Sequence, residues 1–154
     1  MSPAIVRYAE DYQVGQVFDV GEYDITKEEI ISFAQSWDPQ PFHLDESAAA
    51  ATMFGGLIAS GWHVALIMMR MMLRSGFISP DTSLGSPGHE GLKWLLPVRP
   101  GDRLAGAVTV TGVRTSHRRP EIGLITSVAS LRNQSGEEVY WLQSTAIIKS
   151  RMSS

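Results

Sequence analysis

Asp38 and His43 stand five positions apart in the run Ser36-Trp37-Asp38-Pro39-Gln40-Pro41-Phe42-His43-Leu44-Asp45, the densest group of reactive side chains in the sequence. A positioned carboxylate and imidazole can share one water and carry protons between it and a substrate carbon. Proline fixes φ near about −65°, and Pro39 and Pro41 occupy two of the four linking positions, which predicts a stiff extended loop. The same residues also suit a plain turn with an Asp cap and a surface His. A second group is Gly55-Gly56-Leu57-Ile58-Ala59-Ser60-Gly61-Trp62-His63. Glycines at the mouth of a helix let the backbone approach a ligand, and the free N–H groups there favour a developing oxyanion. Alternatively, Gly61 only permits close packing against a strand.

These groups need a frame. Gln13–Ile25 alternates enough at Val17, Val20, Tyr23 and Ile25 to predict a strand. Thr26 followed by Lys27, Glu28 and Glu29 is a capping box, so a short helix is expected over Lys27–Ser36. The two prolines stop it, because each disfavours helix in the residue before it. Asp45–Thr52 reads as one or two helical turns capped by Asp45. Leu57–Ser75 is apolar on nearly every face, which predicts a buried helix, closed by Arg70, Arg74 and Gly76. Its methionines (Met68, Met69, Met71, Met72) suit core filling. After a Gly/Ser/Pro loop over Ile78–Gly91, four segments read as strands: Leu92–Val98, Leu104–Arg114, Ile122–Arg132 and Glu138–Lys149. Asn133–Gly136 is a hairpin turn between the last two. The expectation is an α+β fold, with about five mostly antiparallel strands wrapped around one long central helix.

The chain has 154 residues, 44% of them hydrophobic and 19% charged, with no cysteine. That length fits a single domain over residues 1–154, which buries roughly 70% of the surface its unfolded chain exposes. Lack of cysteine removes disulfides, a thiolate nucleophile and Cys-ligated metal sites. No two histidines share a ligand spacing, so no metal site is expected. A net charge of −3 argues against a nucleic-acid-binding face. Met1–Glu10 lacks the apolar core of a secretory signal. Leu57–Leu73 is interrupted by Ser60, His63 and Arg70 and falls short of a span of about 20 residues. A cytoplasmic protein with no membrane contact is expected. The charged share lies below the usual value of roughly 25%, which suggests that a second subunit covers some surface.

Taken together, the two glycine- and proline-marked segments resemble MaoC-type acyl dehydratases, relatives of the (R)-specific enoyl-CoA hydratases with the hot-dog fold. The family motif is Asp, any residue, Asn, Pro, an apolar residue and His, then an apolar residue and Asp. Here it stands as Asp38-Pro39-Gln40-Pro41-Phe42-His43-Leu44-Asp45. Phe54–His63 resembles the opening of the family's central helix, and the likeness runs from about Tyr12 to Lys149. The resemblance implies a five-stranded antiparallel sheet around the helix and a homodimer or higher homo-oligomer. It also implies a thioester of CoA or acyl carrier protein as substrate, with no separate cofactor. By position, Asp38 and His43 are the pair that activates water and exchanges a proton with the α-carbon, Asp38 the better candidate for the proton exchange and His43 for orienting the water, with the reverse division open. Gly61 supplies the N–H that polarises the thioester carbonyl. Gln40 replaces the usual Asn, and Ser60 stands where hydratases often carry His. Both bear on the substrate, as do Phe42 and Trp62.

The remaining candidates are peripheral. His89, in the expected loop, is placed at the edge of the site. Arg118 and Arg119, beside His117 in a basic turn, are candidates for docking the phosphates of CoA. His63, inside the apolar helix, is expected to be buried and hydrogen-bonded. The competing functions are an acyl-CoA thioesterase and a non-catalytic acyl-CoA-binding subunit. Related thioesterases draw a carboxylate from the central helix, and Leu57–Gly76 has none.

Overall fold

Strand β4 (Ile122–Arg132) shows period-two burial along its length, with Ile125, Ser127, Ala129 and Leu131 turned inward. It is the centre of a five-stranded antiparallel sheet in the computed structural model, which describes residues 5–151. With β1 (Val17–Asp24), β2 (Gly88–Trp94), β3 (Arg103–Thr115) and β5 (Glu138–Lys149), the order is β1-β3-β4-β5-β2. Asn133–Gly136 turns β4 into β5, as the sequence suggests. The helices are α1 (Lys27–Trp37), α2 (Pro41–Leu44), α3 (Glu46–Ala50) and α4 (Gly61–Arg74). The box at Thr26 forms on both sides: Glu29 N–H donates to the Thr26 hydroxyl at 3.2 Å and Thr26 N–H to the Glu29 carboxylate at 3.0 Å.

The sheet curls over α4, whose Val64, Ile67, Met68, Met71 and Met72 share one core with Leu104, Val108, Ile125 and Leu131. The two layers touch closely at Gly106, where a Cβ would stand 2.6 Å from Val20 and 3.1 Å from Met71. The α+β fold is the one expected, but several boundaries differ. β1 begins at Val17. α4 begins at Gly61 because Leu57–Ser60 is not helical. Its amides bond sideways, Ile58 N–H to the Phe42 carbonyl (3.1 Å) and Ala59 N–H to that of Val98 (2.8 Å). β2 begins inside the expected loop and ends at Trp94, after which Leu95–Val98 leave the sheet. Nor is α4 buried all round, since Trp62, Leu66, Met69 and Leu73 form an exposed stripe. Among the described residues no helix is long and apolar enough to cross a membrane.

Candidate active site

The last turn of α1 closes on Asp38, whose N–H donates to the Ala34 carbonyl at 2.9 Å. Pro41 then occupies the first position of α2, where a fixed φ and a missing N–H are favourable. The link is therefore not the extended loop expected: one helical turn swings His43 round to face Asp38. His43 is 4% exposed, and its Nδ1 lies 2.8 Å from the carbonyl oxygen of Ile58. A carbonyl can only accept, so Nδ1 carries the proton and Nε2 is the atom left for chemistry. Nε2 lies 3.3 Å from Asp38 Oδ2. The buried Ser60 hydroxyl donates to Oδ2 at 2.7 Å and the Gln40 amide to Oδ1 at 2.6 Å. Burial alone would raise the Asp38 carboxyl. Hydrogen bonds from Ser60 and Gln40, with His43 alongside, outweigh it and hold the group below the usual carboxylate range.

Gly61 opens α4 beside this pair. The Ser60 side chain, engaged by Asp38, does not cap the helix. Asp38, His43 and Gly61, with Ile58, Trp62 and Trp94, line a cavity of about 380 Å³. Trp94 lies against the glycine: its indole N–H donates to the Gly61 carbonyl at 2.7 Å. A Cβ on Gly61 would stand 2.5 Å from Trp94 Cε2 and 2.7 Å from Nε1. An alanine methyl here meets an indole, so the close-packing account of Gly61 holds together with its place on the cavity.

A family profile described as "MaoC like domain" matches residues 11–130. The chain belongs to the MaoC-like family. A Bacillus subtilis (strain 168) protein, named "Uncharacterized protein YdeM", is 31% identical over 140 residues, covering 91% of this chain and 97% of its own. The (R)-specific enoyl-CoA hydratase of Rhodospirillum rubrum is 37% identical over 116 residues, 71% of this chain and 73% of that protein. The crystal structure of the MaoC-like dehydratase from Rhodospirillum rubrum has a TM-score of 0.88 at 40% identity, covering 95% and 99% of the two chains. The sheet around α4 is thus the hot-dog fold of the MaoC-like dehydratases.

Within this MaoC-like site the structure brings together Asp38, Gln40, His43, Gly61 and Trp62 around one cavity, with Ser60 joined through Asp38. Phe42 is not among the residues that line the cavity. Its ring packs edge-on against the His43 imidazole at 4.5 Å and tilted against Phe54 at 5.3 Å, so it buttresses the imidazole. His89 is not in a loop at the site's edge. It lies on edge strand β2, paired with Ser144, and lines a second cavity of about 270 Å³ against Met72, Phe77 and Leu142. Arg118 and Arg119 lie in the β3–β4 turn, next to Ile122, which pairs with Lys149 at the far end of β5. The cavity meets the near end of β5 at Val139. Lys149 stands ten positions along β5 from Val139, roughly 30 Å of strand, so Arg118 and Arg119 lie toward the other end of the sheet from Val139. Arg119 instead pairs with Glu121 at 2.7 Å. His63 is buried as expected, but its Nδ1 has no hydrogen-bond partner among the described residues, and the ring stacks on Phe33 at 4.7 Å. Trp94 and Leu95–Val98 also line the cavity, though nothing near them in sequence marks a site, as does Phe54, which opens the marked glycine segment without a role assigned to it there.

Proposed function

We propose that this MaoC-like protein is a hydro-lyase that adds water reversibly across a trans-2-enoyl thioester of CoA or acyl carrier protein. The observation that carries the reading is the Asp38–His43 pair, 3.3 Å apart at the head of α4 and on the same cavity as Gly61. Nε2 of His43 takes a proton from water, and the ionised Asp38 steadies the charged imidazole. The water oxygen bonds to the β-carbon, and the thioester carbonyl becomes an enolate whose oxygen is held by the Gly61 N–H. The pair then returns the proton to the α-carbon. One O–H bond and the π component of the C=C bond break while one C–O and one C–H bond form, so the step balances without a further cofactor. Ionised and doubly hydrogen-bonded, Asp38 is a weak base, which favours the reverse division, with His43 as proton carrier.

The names of the relatives, hydratase and dehydratase, support the reaction class. A homodimer or higher homo-oligomer in the cytoplasm belongs to the same reading. The exposed apolar stripe of α4, beside Trp94, Leu95 and Leu96, is the surface a second copy would cover. Thioester hydrolysis is disfavoured because α4 carries no carboxylate. Incubation with crotonyl-CoA and the matching carrier-protein thioester tests the reading. Loss of enoyl absorbance without thiol release is expected. Release of free thiol, or no reaction with a series of enoyl chain lengths, would overturn it.

A further inference from the structure

We propose that Trp94 is a positioning residue for the oxyanion-binding turn, and that position 61 is glycine because of it. The backbone of Trp94 is fixed at the end of β2, where it pairs with the buried Tyr140 of β5. Its indole leaves the sheet to reach the head of α4 and donates to the Gly61 carbonyl at 2.7 Å. That carbonyl shares a peptide plane with the N–H of Trp62, so the indole both fixes the plane's rotation and polarises its N–H. The preceding plane carries the Gly61 N–H, and its Ser60 carbonyl accepts from Val64 N–H at 3.1 Å. Both planes that present the first free amides of α4 are thus held at their carbonyl ends.

The space a methyl would need at position 61 is filled by the same ring, whose Cε2, Nε1 and Cδ2 stand 2.5–2.8 Å from an ideal Cβ. Trp62 braces the indole edge-on, with centroids 5.0 Å apart. Trp94 is 44% exposed in the single chain, and the one polar atom of its side chain is spent on this peptide. That combination fits orientation of the turn better than core packing.

The effect on turnover rests on the hydratase reading; the glycine–indole packing does not, and the two are separable by experiment. Tm is measured for Gly61→Ala, Trp94→Leu and the double variant. Alanine should lower Tm by roughly 4–10 °C beside the native indole and by less than about 2 °C in the Trp94→Leu background. Equal costs in the two backgrounds overturn the packing claim. Trp94→Phe keeps a ring and loses the N–H. The probe is the dimethylaminocinnamoyl thioester of CoA, whose absorption moves to the red when its carbonyl is polarised. Trp94→Phe should reduce that red shift and lower kcat about 5- to 10-fold with KM nearly unchanged. A native red shift and native kcat in a folded Trp94→Phe protein, or no red shift in the native protein, overturns the donor claim. Absence of hydratase turnover in the native protein would defeat the proposed function alone, since the Tm cycle and the probe still decide this one.

Discussion

Asp38→Asn removes the charge that faces His43 while nearly preserving shape. At 3.3 Å the attraction between a carboxylate and a charged imidazole is about 1.3 kcal/mol in bulk water and about 5 kcal/mol at an effective dielectric of 20. Since about 1.4 kcal/mol is tenfold in rate, losing the pair slows proton uptake by between roughly tenfold and several thousandfold. The side chain is 17% exposed, between the two limits. A fall in kcat of about 10²–10³-fold is expected, within the range typical for acid–base groups. The fold should survive. Asparagine keeps one acceptor oxygen for either Ser60 or Gln40 and turns its NH₂ toward the other, a loss of about 1–2 kcal/mol. The depressed pKa of Asp38 means its stabilising contribution is present above the unfolded value and lost as pH falls through the lower folded one. The variant should therefore lose less stability than the native protein on acidification below about pH 4. Crotonyl-CoA hydration, followed by enoyl absorbance alongside a urea melt, is the assay. Asp38→Asn/His43→Gln should lose little more activity than the worse single variant, because the two act as one proton carrier. Turnover within threefold of native in a folded Asp38→Asn protein would refute the reasoning.

His43→Gln should cost both activity and about 1–3 kcal/mol of stability, since His43 is buried and bonded to the Ile58 carbonyl; an unchanged urea midpoint would contradict that placement. Burial pulls the pKa of His63 below its ordinary 6.5 against the opposing pull of Glu29, so the unfolded chain takes up the proton first as pH falls. The associated stability is complete above about pH 6.5 and declines below it by up to about 1.4 kcal/mol per pH unit. His63→Phe should flatten the urea midpoint between pH 7 and 5, and a retained slope would assign it to other groups. Light scattering should find at least twice the chain mass of 16.9 kDa. Leu66→Glu, in the middle of the exposed stripe of α4, should shift the mass toward monomer; a native protein that is monomeric at micromolar concentration removes this reading of the stripe.

Local chemistry made much of the frame legible. The Thr26 box, the period of two in Ile122–Arg132 and the Asn133–Gly136 turn depend on neighbours within a few residues, and each stands where the sequence puts it. Elsewhere two local rules tied. Pro41 disfavours helix at Gln40, but it also suits the first position of a helix, and α2 follows the second rule. Leu57–Ser60 is apolar enough to begin α4 or to run extended. The Phe42 and Val98 carbonyls, distant in sequence, take its amides and keep it out of the helix. Burial on α4 could be counted as apolar faces but not matched to what covers each one. The charge cluster at Arg118 and Arg119 carried no mark of which end of the sheet it would occupy. The ties are not scattered at random. Gln40, ahead of Pro41, and Ile58 and Ala59 line the Asp38–His43–Gly61 cavity, and the bond that settles one of the ties, Ile58 N–H to the Phe42 carbonyl, sits beside the Nδ1 contact that orients His43. Where local preference is balanced, a few long-range hydrogen bonds fix the backbone, and those bonds also aim the functional side chains.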